Sequence, residues 1–387
     1  MINLIVSSIN SLIRYIFTSN TKKDKLCIID DIPEDLQKDI NKITNKYTKY
    51  INIYKSLYYL LRDITYIGLV VILTNYLLNY YDYKLLFVPY SIIQGTVSSG
   101  LWILAHECGH QAFSKSRLIN DSIGFSLHSF LLVPYFSWKY SHNIHHKYTN
   151  HIIKGKVFTP HIIKNKNLDD NNHSIIGEDV FSIINIFRYL FMGWPAYLFT
   201  NASGIKVQSD LKTRIDKNKY KDHFHSKSQI MDPSLGYLVE LSTLGCLSTL
   251  GLLIYYLRQK IFFWYIGPYL IVNAWLIIYT WLHHTHVDVP HYGSDKFTFL
   301  KGALSTIDRK YPDIINHLHH NIGSTHVAHH INYHIPHYAA VEATKDIKKL
   351  LGKYYLYDDT PIYKALFSTS KYCVYIEDIN GVQYYKH

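Results

Sequence analysis

The stretch LLFVPYSIIQGTVSSGLWILAHECGH, Leu85 to His110, joins an uncharged apolar run directly to a histidine pair of metal-ligand spacing. Leu85 to Leu104 holds no Asp, Glu, Lys, Arg or His, and its length meets the roughly 20 apolar residues that a helix needs to cross a bilayer. His106 and His110 follow at once, four residues apart, so on a continuing helix they share one face. A span that ends in paired imidazoles places a metal-binding function at a membrane surface.

Three further stretches lack charge: Ile64 to Tyr81, Leu241 to Leu257 and Ile261 to Leu282. The last is long enough on its own. The other two lean on Tyr, Ser and Thr and lie near the lower limit of about 17 residues. Tyr81-Asp82-Tyr83-Lys84 joins the first pair of stretches and Arg258-Gln259-Lys260 the second. Connectors this short force antiparallel hairpins, and each hairpin returns the chain to the side it left. The expected architecture is all-α and polytopic: four transmembrane helices in two hairpins, with interfacial helices and a helical cap. The N-terminal segment, residues 105–240 and the chain after 282 then share one side. The Lys-rich N-terminus marks that side as cytoplasmic. Phe125 to Trp138 and Phe181 to Thr200, shorter or interrupted by Arg188, fit interfacial or re-entrant helices. Met1 to Asn20 carries Arg14 and no small-residue cleavage site, so no cleaved signal is expected.

Composition agrees. Lys plus Arg number 40 against 29 Asp plus Glu, a net charge of +11, but charged residues are only 18% and aromatics 15%. That excludes a disordered chain. The basic residues are scattered rather than clustered, which argues against nucleic-acid binding. Four cysteines, Cys27, Cys108, Cys246 and Cys373, show no paired spacing and no disulfide framework.

The unusual figure is 24 histidines. Beyond His106 and His110, they gather in His142-Asn143-Ile144-His145-His146 and in His326-Val327-Ala328-His329-His330. At this frequency chance supplies about 0.1 copies of H-x-x-H-H, and the chain has two. On helices, His142, His145 and His146 share a face, as do His326, His329 and His330. The hairpins bring all three boxes to one side of the bilayer. Eight imidazoles suit iron, zinc or copper and not magnesium or calcium. They are too many for one tetrahedral zinc and match two ions of higher coordination number. Two redox-active irons beside lipid imply oxygen activation against an unactivated hydrocarbon. Two rival readings exist. His106-Glu107-x-x-His110 matches the H-E-x-x-H of zinc proteases, with Glu107 as general base, but leaves six box histidines idle. A metal carrier would place its ligands inside the spans, not beyond their ends.

At these residues the chain resembles membrane fatty acid desaturases, most closely the acyl-lipid omega-6 (delta-12) group. The likeness extends through HECGHQAFS (106–114), LLVPYFSWKYSH (131–142), GWPAYLFTNASG (193–204), YLIVNAWL (269–276), HHTHVDVPHY (283–292), KGALSTIDRKY (301–311) and STHVAHHINYHIPHYAAVEAT (324–344). It implies a di-iron centre held by His106, His110, His142, His145, His146, His326, His329 and His330. It also implies dioxygen as co-substrate, electrons from an external donor and a cis double bond as product, with hydroxylation or omega-3 desaturation as the family's alternative outcomes. A further ligand near the end of the last span is implied, for which His284 and His286 are candidates. His320 is expected to orient a ligand imidazole, and His291 and His337 to be structural.

The resemblance covers a desaturase domain at residues 56–355, between an N-terminal tail (1–55) and a C-terminal tail (356–387). No fused haem signature is present in the sequence. Separate cytochrome b5 and its reductase are therefore the expected partners, with an acyl lipid as substrate and the endoplasmic reticulum as the membrane. Asn143 and Ile144 stand where relatives usually carry two arginines, and Gly155 and Lys156 replace the usual acidic residues. These departures fall on donor docking or head-group contact rather than on the ligands. Asp308 and Arg309 are expected to pair in support of the third box, Cys108 to pack as a small apolar residue, and Trp138, Trp194, Trp264 and Trp281 to anchor at the interface or fill the core.

Overall fold

A computed structural model describes residues 2–17, 32–163, 177–204 and 220–387. Cys27 lies outside them. The fold is helical, with three two-residue strand pairs as its only sheet among the described residues.

Helix α1 (Ile2–Phe17) and helix α2 (Glu34–Thr48) precede helix α3 (Ile53–Leu77). The Asn52 side chain caps α3 by accepting from the amides of Tyr54 and Lys55 at 2.9 and 3.2 Å. Asp82 likewise starts helix α4 (Tyr83–Gly109), accepting from Lys84 N at 2.7 Å. Helices α5 (Arg117–Phe130) and α6 (Tyr135–Lys147) follow, then α7 (Glu178–Thr200), α8 (Gly236–Leu257) and α9 (Gly267–His284). Short helices α10 (Phe299–Leu304), α11 (Asp313–Leu318) and α12 (His326–Ile331) lead to α13 (His337–Leu351) and α14 (Ile362–Tyr372).

Helix α4 is the axis of the molecule and packs against α3, α5 and α9. Gly95 allows the closest approach to α9: a Cβ there would lie 2.5 Å from the Ile271 side chain and from Pro268 O. Gly100 plays the same part against α3, where a Cβ would meet Asp63 Oδ2 and Leu318 O at 2.7 Å. The main core gathers Leu101, Trp102, Trp138, Trp194, Leu276 and Trp281 around the lower ends of α4, α7 and α9.

Among the described residues, three helices are long and apolar enough to cross a membrane: Ile53–Leu77, Pro233–Lys260 and Phe262–His284. Three of the four charge-free stretches fall largely within these helices. The run at Leu85 to Leu104, convincing on charge alone, lies in a 27-residue helix that does not reach that hydropathy. Its Gln94, Ser98 and Ser99 are buried among neighbouring helices, while Leu85, Val88, Ile92 and Ile93 of its first half are exposed and give it an apolar outer face. The two marginal stretches qualify, and they are the outer helices. Only 11% of the α3 window and 17% of the α8 window are buried, against 50% for α9. Leu61, Leu69, Leu73, Leu244, Leu247 and Leu252 point outward, as a lipid-facing surface requires. The second hairpin is also looser than its short connector suggested, because α8 packs chiefly on α5 and α6. Phe125 to Trp138 is not one helix. It breaks between α5 and α6 at Leu132, whose φ is 54°, and Pro134.

The terminal segments pack onto the body. Helix α2 lies along α13, and α1 and α14 both contact α7. Lys371 of α14 and Arg14 of α1 bond the buried Asp179 of α7. Trp138, Trp194 and Trp281 fill the core at 2, 4 and 5% exposure.

Candidate metal centre

Four chain segments end at one place. The last turn of α4 supplies His106, and its capping residue is His110; α6 supplies His142, His145 and His146; α12 supplies His326, His329 and His330; the end of α9 supplies His284. The i, i+3 and i, i+4 spacings aim each comb inward. Two groups result, each with its ring nitrogens within 4.8 Å of one another: His106, His110, His142, His146 and His329 in one, and His145, His284 and His330 in the other. His326 borders the second group, its Nε2 lying 3.0 Å from Nε2 of His284 and its ring 4.6 Å from that of His330. The groups adjoin through His146 and His330, stacked at 4.2 Å.

Within the first group Nε2 faces Nε2 at 3.2 Å between His106 and His110, and at 3.1 Å from His146 to both His142 and His329. The outward nitrogens Nδ1 of His106, His110, His146, His284 and His326 are buried without a hydrogen-bond partner, as is Nε2 of His330. Opposed lone pairs beside unsatisfied N–H groups are costly for an imidazole cluster alone, and a cation held between the rings relieves the opposition. Neither group contains a carboxylate. The donors are thus all neutral nitrogen, which fits first-row transition metals and not magnesium or calcium. Burial, reinforced by neighbouring imidazoles, holds His110, His142, His146, His329 and His330 well below the ordinary histidine pKa, and burial alone brings His145 to about 4. Neutral rings with free lone pairs are what a metal ion needs.

The surroundings correct several expectations. Of the two candidates after the last span, His284 joins the cluster. His286 lies two residues past the helix end, where its Nδ1 accepts from Asp288 N at 3.1 Å. His320 bonds Asp63 Oδ2 at 2.7 Å through Nε2 and faces Arg62 through Nδ1, so its hydrogen bonds do not orient a box imidazole. Asp308 and Arg309 are both fully buried but do not pair with each other. Asp308 accepts from Val327 N at 2.8 Å and from the Tyr355 hydroxyl, which fixes the first turn of α12. Arg309 pairs with Asp358 and donates to Leu282 O, which fixes the end of α9.

Glu107 turns away from the ring nitrogens and accepts from both N and Nδ1 of His337. It is therefore not poised as a protease base, and all the box histidines converge instead of standing idle. His337 gains a definite structural role from this contact. His291 sits edge-on to Tyr385 at 4.8 Å in a short strand pair. Cys108 is buried with Phe113 and Tyr135, on a packing face.

Sequence reasoning missed three neighbours. Trp102 stacks on His106 at 5.5 Å, and His128 is buried between Trp102 and Trp138. Tyr333 contacts His110 and His146 at 4.8 and 5.1 Å. Trp138, expected only as an anchor or core residue, lies flat on His142 at 4.6 Å. The α6 spacing carried that signal, since Trp138 precedes His142 by one turn.

The chain is similar to known proteins over most of its length. A delta-12 fatty acid desaturase of Mortierella alpina is 42% identical over 315 residues, covering 77% of this chain and 76% of that protein. An omega-6 fatty acid desaturase of Glycine max, an endoplasmic reticulum isozyme, is 38% identical over 332 residues, 84% and 82% of the two chains. An oleoyl-12-hydroxylase of Ricinus communis is 38% identical over 296 residues, 76% and 73%. The pattern that defines fatty acid desaturases matches residues 84–361, from the start of α4 to just before α14. By this match, and by the identity and coverage of these relatives, the chain belongs to the fatty acid desaturase family.

Proposed function

We propose that the protein is an acyl-lipid delta-12 (omega-6) desaturase that introduces a cis double bond into a monounsaturated C18 chain. The observation that carries this reading is the meeting of nine imidazoles in two adjoining groups at the inner end of an apolar helix bundle, in a chain 42% identical to a delta-12 desaturase. His106, His110, His142, His146 and His329 would hold one iron, and His145, His284, His330 and His326 the other. The bound irons would supply activation of dioxygen. The residues of this chain fix the ligand rings, keep them neutral and exclude stray water by burial.

A cavity of about 630 Å³ suits the acyl chain. Tyr189, Gly193, Ile277 and Trp281 give it apolar walls, the charged Glu178, Arg188 and Lys371 line it too, and Thr285, next to His284, brings it to the helix end that carries a ligand. Removal of two hydrogens with reduction of dioxygen to two waters consumes two further electrons and two protons. A separate carrier such as cytochrome b5, with its reductase, supplies the electrons. In this reading the domain spans 56–355 and crosses an endoplasmic-reticulum membrane four times, as two hairpins with the boxes on the cytoplasmic side. The Ricinus relative favours one second reading, hydroxylation at the same carbon, since both outcomes begin with the same hydrogen removal.

Expression in a yeast host with gas chromatography of total lipid tests the proposal. A new C18 diene is expected. A hydroxy acid would replace desaturation by the second reading, and a triene formed only from added diene would mean omega-3 activity. Purified active protein containing one zinc or no metal would overturn the di-iron assignment.

A further inference from the structure

One surface concavity opens directly over the first histidine group. It encloses about 510 Å³, and its lining runs from the solvent to His110, which is itself only 2% exposed. Among the described residues, three cations line it, Arg117, Lys139 and Lys147, and no carboxylate does. Asp121, just outside, pairs with Lys139 and lies 3.5 Å from Arg117. The rim therefore keeps a net positive charge. Lys139 and Lys147 lie one helical turn on either side of Asn143 on α6, so the three share a face. Two aromatics complete the lining: Phe299, 41% exposed, and Tyr333. Tyr333 is half-buried, with its ring against both His110 and His146. His334, the next residue, ties the same loop to the box by bonding His110 O through Nδ1 at 2.8 Å.

We propose that this concavity is the docking surface for an acidic one-electron carrier protein, and that Tyr333 is the contact through which the carrier's electron reaches the first histidine group. The inference rests on the desaturase reading, which requires two electrons from outside the chain for each dioxygen. A positive rim around an exposed aromatic matches how acidic partners are steered and anchored. In each transfer the carrier, a haem or iron–sulfur protein, loses one electron and the ligated metal gains it; no bond is made or broken in this chain. With Lys139 paired to Asp121, Arg117 and Lys147 supply the basic character of this face although Asn143 and Ile144 are uncharged.

The test uses the full iron-loaded chain in lipid nanodiscs with the soluble haem domain of cytochrome b5 as probe. Lys147→Glu should weaken binding by about fivefold to tenfold at low salt, with the difference vanishing near ~0.5 M salt. Lys353→Glu, an equal charge change on the exposed turn after α13, should bind as the parent does. Oxidation of the pre-reduced carrier, followed by its haem absorbance, should slow in Tyr333→Ala and recover in Tyr333→Phe, while dithionite reduces the parent and both variants at equal rates. Equal affinity for Lys147→Glu and parent at low salt would overturn the docking surface. Unchanged carrier oxidation in Tyr333→Ala would overturn the conduit. Chemically reduced parent protein that still forms diene while either result holds would sink this inference and leave the desaturase reading intact; chemically reduced protein that forms no product would sink that reading instead.

Discussion

The two histidine groups differ in how they meet the outside. In the first, His142 and His329 are partly open, and the concavity at Tyr333 reaches His110. Its walls are indoles, Trp102 on His106 and Trp138 on His142. In the second, His145, His284 and His330 are all buried. The support there is hydrogen-bonded: Asp308 on the first turn of α12, Arg309 on Leu282 O, and Thr149 Oγ1 3.1 Å from Nδ1 of His330. One half is built to exchange with its surroundings and the other to stay fixed. A single metal-binding comb would not need that division.

The largest effect should come from removing one imidazole from each group. His110→Ala and His145→Ala should each lower product formation by more than about 100-fold, beyond the 10–100-fold that loss of an outer hydrogen-bonding partner costs. Iron per protein should fall from two toward one in both, with the protein still inserted in the membrane. Elemental analysis beside lipid analysis reads the result. Full activity in either variant would remove that residue from the ligand set, and loss of both irons together would mean that the groups bind as one unit.

Next come the carboxylates behind each group. Asp308→Ala leaves the Val327 amide and the Tyr355 hydroxyl buried without an acceptor, a loss of about 1–3 kcal/mol. It should loosen α12, cutting iron in the second group and lowering the melting temperature. Glu107→Ala frees His337 behind the first group, and its activity should fall about tenfold with both irons retained. If Glu107→Ala abolished metal binding while Asp308→Ala did not, the roles assigned to the two supports would be reversed.

Acid should separate the iron-free protein from the loaded one. Burial brings folded His145 to about 4 and holds His146, His329 and His330 well below the ordinary histidine value. The unfolded chain therefore takes up protons first as pH falls. Stability from these residues is complete above about 6.5 and is lost progressively toward 4. Between pH 7 and pH 5 the iron-free protein should lose on the order of 5 °C in melting temperature. A melting temperature that rose on acidification would contradict neutral, buried rings.

Much of this was legible beforehand. The comb spacings of His142/His145/His146 and His326/His329/His330 depend only on helical geometry, so the convergence of the boxes followed from sequence. The lipid-facing stretches of α3 and α8 were legible as charge-free runs, but how far each helix is covered by its neighbours was not. Absence of charge does not distinguish α4, whose second half with Gln94 and its serines is buried within the bundle, from α8, whose leucines face out along most of its length. His284 and His286 were equivalent in sequence, and the choice depends on where α9 ends: Thr285 turns extended at φ −129° and carries His286 off the helix. Tyr333 follows α12 in an irregular turn, where no periodicity reports a neighbour. Pairing Asp308 with Arg309 failed because adjacent residues on a strand point to opposite sides, and each reached a different element.

The smallest effect expected is at the wall of the first group. Trp138 lies over His142 at an interplanar angle of 18° and meets Trp102 edge-on at 5.4 Å. Phenylalanine keeps a flat ring over the imidazole and gives up only the outer part of the indole. Trp138→Phe should therefore retain both irons and lower turnover by no more than about threefold, whereas Trp138→Leu removes the flat surface, lets His142 tilt and should cost about tenfold, since small misplacements at a reacting centre are expensive. Turnover measured beside iron content distinguishes the two substitutions. The contrast matters because, among the described residues, the second group has no indole in this position: His326 lies 4.6 Å from His283, whose own nitrogens are held by Ile307 O and the Tyr311 hydroxyl. Equal losses from Phe and Leu would mean that the indole fills space and nothing more, and the difference between the two groups would then rest on exposure alone.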